Sequence, residues 1–210
     1  MAGINQTEFV RSKRRLPSGI PLIQSRRNTM SRITTIDNTN ANEEQQALLD
    51  AIHAQLGTVP NFLKIFANSP VALRAFLGLH GVANAGTLDA LTRERIALTL
   101  AQQNGCEYCV SAHTAIGRKT GLSAEEVTAA RNGTSEDEQA AVAVKFARSL
   151  MENKGEISTL ELAEVRSAGY SDSDIVEIIT HVGMNFLTNV LGKASQVDID
   201  FPKVSLKLAA

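Results

Sequence analysis

Cys106 and Cys109 are the only cysteines of the chain. They lie three residues apart in Gly105-Cys106-Glu107-Tyr108-Cys109, and His113 follows four residues later. A chain whose only thiols form one Cys-x-x-Cys uses them for chemistry or metal rather than for scattered packing. Sulfur attack requires thiolate, and an ordinary thiol, with a pKa of about 8.5, is mostly protonated at neutral pH. Cys106 follows a glycine at the expected start of a helix, where free N–H groups and a partial positive charge stabilise a thiolate. Cys109 comes about one turn later and His113 another turn on, so all three share a face. The imidazole can take the thiol proton or hold the thiolate as an ion pair. The second thiol can capture a sulfenic acid as a disulfide before it over-oxidises. These residue types at this spacing suit a thiol peroxidase or a disulfide reductase.

Glu94 is the other well-placed ionisable residue, in Arg93-Glu94-Arg95 of the preceding helix. If Asn104-Gly105 reverses the chain, the two helices run antiparallel and Glu94 stands near the height of His113. A carboxylate there could orient the imidazole and raise its basicity. The plainer alternative is a surface residue paired with Arg93, Arg95 or Arg118. A metal reading competes, since two thiolates, an imidazole and Glu94 are four zinc ligands. Three ligands strung along one helix strain tetrahedral geometry, however, and no second cysteine pair exists, so no metal is expected. Among the other histidines, His53 falls at a polar position. His80 and His181 lie on apolar helices, where core or interface roles are commonest; His80 could still approach the cysteine face. Asn185 and Asn189 share a face at i, i+4, and buried amides there need partners.

The elements that must position these groups are all helical. Asn42 with Gln45 opens a helix carrying Leu48, Leu49, Ile52 and Leu56, which Gly57 ends. Phe62, Leu63, Ile65 and Phe66 mark a short helix stopped before Pro70, and Pro70 opens the next. A helix from about residue 89 to 104 carries Leu91, Ile96, Leu98 and Leu100. The cysteine helix follows and ends near Gly121. Ser123 with Glu126, Ser135 with Glu138, and Ser158 with Glu161 read as three further capping boxes. The stretch from about 136 to 153 should bury Val142, Phe146, Leu150 and Met151. The stretch from about 172 to 191 carries Ile175, Ile178, Ile179, Val182, Phe186 and Val190. No segment shows the period-2 alternation of a strand. Residues 197–208 should run extended over the surface. The expected fold is a single-domain, all-α bundle of about eight helices.

The chain has 210 residues and is 43% hydrophobic, which is enough for one substantial core. Its formal charge is −1, so neither nucleic acid nor an acidic membrane surface is an expected partner. No apolar run is expected to reach the roughly 20 residues of a membrane span. Residues 1–36 contain seven basic residues and a single acid, Glu8, which reads as a basic extension ahead of a domain at 37–210. No secretory core is present in it, and the lone cysteine pair fits a cytoplasmic setting.

The residues also carry a family resemblance. Glu94, eleven intervening residues, Cys106-Glu107-Tyr108-Cys109, three more residues and His113 resemble the alkylhydroperoxidase D core (AhpD-like) of the carboxymuconolactone decarboxylase superfamily. Gly57-Thr58-Val59-Pro60-Asn61 and Ala67-Asn68-Ser69-Pro70 are similar to that family's entry helices. Asn185-Phe186-Leu187-Thr188-Asn189 and Asp200-Phe201-Pro202 are similar to the closing segment of one of its subgroups. The resemblance covers about residues 40–204. It implies an AhpD-like helical fold, a homo-oligomer (trimer or hexamer), and cofactor-free two-cysteine reduction of alkyl hydroperoxides. Carried over by position, Cys109 attacks the peroxide, Cys106 resolves, and Glu94 with His113 forms the proton relay. The reductant would be a dithiol, on a lipoyl or thioredoxin-like protein. Tyr108 replaces a histidine found between the cysteines of other members; with a pKa of about 10 it is a poor base. Tyr108 and His80 are candidate substrate contacts. The alternatives are a decarboxylase-type enzyme acting on a small organic acid, a branch that lacks the cysteine pair, and a non-catalytic redox-sensing or zinc-binding helical protein.

Overall fold

A computed structural model describes residues 31–208 as nine helices without a strand. They are α1 (Glu43–Leu56), α2 (Asn61–Phe66), α3 (Pro70–Ala83), α4 (Ala90–Gln103), α5 (Glu107–Thr120), α6 (Ala124–Arg131), α7 (Glu138–Glu152), α8 (Thr159–Ser167) and α9 (Asp172–Ser195). The count is nine against about eight expected, and the short helix expected around Phe62 and Phe66 is the six-residue α2. The expectation for residues 1–30 lies outside the described residues. Residues 31–36 already hold on to the domain: the Ser31 hydroxyl and the Arg32 N–H donate to the Ser195 carbonyl, and Ile36 is buried.

Helix α4 is the hub, packed against α5, α6, α7 and α9. Its sequence explains this, because Ile96, Ala97, Leu98, Leu100 and Ala101 leave no polar stripe in its second half and all are buried. Each large side chain so buried contributes about 1.5–3 kcal/mol. Around it, α7 places Phe146 and Leu150 against Ile175 and Ile178 of α9, while α1 to α3 bring Phe66, Leu73 and Phe76 to Met184. Val142 and Met151 are only partly buried.

Helix starts follow local chemistry. Asn42 with Gln45 and Ser158 with Glu161 are reciprocal capping boxes, and so is Ser171 with Asp174. Two expected boxes are corrected. Ser123 accepts the Glu126 N–H, but the Glu126 carboxylate does not return to it. That carboxylate instead takes the Arg95 guanidinium at 2.5 Å, the Ser135 hydroxyl and the Glu136 N–H. Ser135 is thereby diverted, and Asp137 caps α7. A buried ion pair satisfied on this many sides outweighs one surface cap; removing one partner of such a pair typically costs about 3–5 kcal/mol.

The 24 residues of α9 are long and apolar enough, by length and composition, to cross a membrane, which corrects the expectation that no segment would be. One face nevertheless buries His181, Asn185 and Asn189 among its neighbours. Residues 198–208 contain no helix and are latched across α4, α5 and α6. The Val204 N–H donates to Ser111, Gln102 donates to the Leu206 carbonyl, and Arg131 donates to the Ser205 carbonyl.

Candidate active site

Gly105 creates the turn that presents the cysteines. Its φ of 65° lies in the left-handed region, where a side chain is strained, and it reverses the chain between α4 and α5. Cys106 is then the N-cap of α5. Its Sγ accepts the Cys109 N–H at 3.3 Å, so the sulfur occupies the position where a helix start offers donors and positive potential. The two sulfurs are joined in a disulfide, with Cα atoms 5.3 Å apart. They lie beneath the surface, at 1% and 5% exposure. Sulfurs bonded to each other are not thiolate ligands, and among the described residues no group of three or more His, Cys, Asp or Glu is arranged to hold a metal ion.

The helix reversal also brings Glu94 of α4 to His113 of α5, where Oε2 and Nδ1 are 2.9 Å apart and both side chains are largely buried. A carboxylate at Nδ1 fixes that nitrogen as the protonated one and leaves Nε2 as the basic nitrogen. His80 approaches the same pair from α3. Desolvation, seconded by the facing charge of His113, holds its imidazole below the ordinary histidine value. Its Nε2 is 3.0 Å from Asn84 Nδ2, and its ring lies 5.7 Å from that of Phe76. His181 is 2% exposed, and desolvation lowers its basicity too.

Tyr108 engages other partners. Its hydroxyl donates to Asp200 at 2.8 Å and accepts the Phe62 N–H at 3.4 Å. Its ring packs between Phe62 and Phe201, with centroids 5.8 Å away in each case. Burial and the Asp200 carboxylate raise its pKa far above the usual phenol value, so it stays protonated. Asp200 also accepts the Asn61 N–H, which ties α2, α5 and the C-terminal segment together. Phe62, Phe66 and Phe76 form one aromatic cluster in the core beside it.

Helix α9 supplies a wall for the sulfurs that spacing alone does not reveal. The Thr188 carbonyl lies 3.9 Å from Cys109 Sγ. Gly192 is set so close that a methyl group there would lie 3.0 Å from Cys106 Sγ. Asn104, just ahead of the Gly105 turn, donates to Asn189 Oδ1 at 2.9 Å, and its carbonyl receives Lys193 Nζ at 2.6 Å.

Residues 70–153, which hold Glu94, both cysteines and His113, match the carboxymuconolactone decarboxylase family. The helical bundle around that segment has the AhpD-like fold. Solved structures place this AhpD-like chain among similar all-helical folds. An uncharacterized peroxidase-related protein from Silicibacter sp. TM1040 superposes with a TM-score of 0.72 at 25% identity, over 83% of this chain and 94% of that one. The alkylhydroperoxidase AhpD core of a peroxidase-related protein from Ralstonia eutropha JMP134 gives 0.73 at 20% identity, over 81% and 93%. The apo debrominase Bmp8 gives 0.66 at 21% identity, over 82% and 92%. No curated protein matches the chain.

Proposed function

We propose that this AhpD-like protein is a thiol-dependent peroxidase that reduces alkyl hydroperoxides. The observation that carries the reading is the Cys106–Cys109 disulfide at the start of α5, one turn before an imidazole held by a buried carboxylate. In the reduced protein, His113 Nε2 takes the Cys109 proton. The Cys109 thiolate attacks the peroxide; the O–O bond breaks, Cys109 becomes a sulfenic acid, and the alkoxide leaves as alcohol with the proton held on His113. The Cys106 thiolate then attacks the Cys109 sulfur, the S–O bond breaks, and the leaving hydroxide takes up the proton that Cys106 had given up and departs as water, which gives the disulfide. An external dithiol, on a lipoyl or thioredoxin-like protein, returns two electrons and two protons and becomes a disulfide itself. No cofactor takes part. His80 borders the relay and is the better candidate for a substrate contact, because the Tyr108 hydroxyl is already committed to Asp200 and Phe62.

The protein is further proposed to work as a homo-oligomer in the cytoplasm. Phe186, Leu187 and Val190 of α9 are 52%, 44% and 47% exposed, and Val82 on the neighbouring α3 is 77% exposed, leaving an apolar surface suited to a second copy. Reduced protein treated with one equivalent of cumene hydroperoxide tests the chemistry. The expected result is one alcohol per protein and loss of both free thiols to a Cys106–Cys109 disulfide. Unreacted thiols, or oxidation that stops at sulfinic acid, would reject the reading. A brominated pyrrole run in parallel checks the activity named for the debrominase.

A further inference from the structure

We propose that Asn189 of α9 is the hydrogen-bond donor that holds the Cys106 sulfur as thiolate when the disulfide is open. The inference rests on the redox-pair reading of Cys106 and Cys109. Asn189 is fully buried, and its Nδ2 has no hydrogen-bond partner among the described residues. Its Oδ1 is occupied by Asn104, which fixes how the amide is turned. A buried amide N–H left without an acceptor typically costs about 1–3 kcal/mol, so such a group calls for an acceptor present in another state of the protein. The disulfide is the state described here, and its sulfurs are weak acceptors. Reduction opens the pair, and an ionised Cys106 then carries a full negative charge.

Placement favours Cys106 over Cys109. Asn189 and Lys193 both grip Asn104, which leads through Gly105 directly into Cys106. One turn along α9 from Asn189, a methyl carbon on Gly192 would stand 3.0 Å from the Cys106 sulfur and 3.7 Å from that of Cys109. Cys106 is 1% exposed, so donors to its thiolate must come from the protein. The Cys109 N–H is one, at 3.3 Å. A thiolate takes more than one, and each donor to the charged form lowers its pKa. The reduction step itself is ordinary exchange: a dithiol sulfur attacks, the Sγ–Sγ bond breaks, and the dithiol leaves as a disulfide after giving up two electrons.

Among the charged and titratable groups on the elements packed around the pair are Glu94 on α4, Glu107, Tyr108 and His113 on α5, Lys64 on α2, His181 and Lys193 on α9, and Asp198, Asp200 and Lys203 on the C-terminal segment. All are unchanged among the variants below. The test is the pH dependence of iodoacetamide alkylation in a Cys109→Ser background, where Cys106 is the only thiol. This readout does not require peroxidase activity, so it can fail while the peroxidase reading stands, and the reverse. Asn189→Asp keeps the acceptor for Asn104 and the shape but removes the donor. It should raise the midpoint by about one unit or more, that is, about tenfold less thiolate at neutral pH. Asn104→Ala keeps the donor but frees the amide to turn, and should move the midpoint by less than Asn189→Asp does. If Asn189→Asp does not fold, Asn189→Leu, which also lacks the donor but carries no charge, takes its place with the same expected rise. A midpoint that does not move on losing the donor, or that moves equally in Asn104→Ala, would overturn the assignment.

Discussion

His113 Nδ1 lies 2.9 Å from Glu94 Oε2 across the antiparallel α4–α5 pair. In the proposed mechanism the carboxylate leaves Nε2 as the proton acceptor and orients the imidazole. His113→Ala should slow peroxide reduction about 100-fold, the range for losing a general base. Glu94→Gln should also slow it, by a smaller factor. Stopped-flow rates check both, and wild-type rates in the two variants would remove the pair from the mechanism.

Gly192→Ala introduces a methyl carbon 3.0 Å from Cys106 Sγ. The disulfide and its place at the N-cap of α5 hold Cys106 Sγ, so the substitution should cost about 1–3 kcal/mol of stability. Thermal melts of oxidised and reduced protein check it. A variant as stable as the parent in both states would show that α9 is not seated on the sulfur.

Tyr108→Phe removes the hydroxyl shared by Asp200 and Phe62 while keeping the ring between Phe62 and Phe201. The expected loss is about 1 kcal/mol, with faster limited proteolysis of residues 198–208 and peroxide turnover little changed. Turnover falling as far as in His113→Ala would place Tyr108 in the chemistry instead.

Light scattering should give a particle several times the 22.6 kDa of one chain. Phe186→Glu, at a 52% exposed position on the apolar side of α9, should reduce it to a monomer without unfolding it. A wild-type particle of 22.6 kDa would contradict the oligomer.

Legibility in the sequence followed the range of the forces involved. The start of α1 at Asn42, its stop at Gly57 and the box at Ser158 are settled within one turn, and periodicity carried them. Glu94 meeting His113 needed only one reversal at Gly105, and that too could be anticipated from the turn residues. Glu126 could not, because its local cap competes with Arg95, which lies 31 positions back in the chain and meets Glu126 only after α6 docks on α4. The same limit hid the α9 wall. Gly192 looks like any small residue in a helix, and only the docking of α9 across 86 positions of sequence puts it on Cys106. Asn189 could be singled out as an amide in need of partners, yet not assigned to Asn104. Helix α9 is apolar nearly all round because one side faces the core and the other is exposed, a division that composition does not draw.

Steady-state consumption of cumene hydroperoxide with dihydrolipoamide as donor shows whether Cys109 turns over peroxide. Wild-type protein should consume peroxide catalytically, with one dithiol oxidised per peroxide, and Cys109→Ser should leave only the uncatalysed rate. Equal consumption by the two proteins would contradict the account.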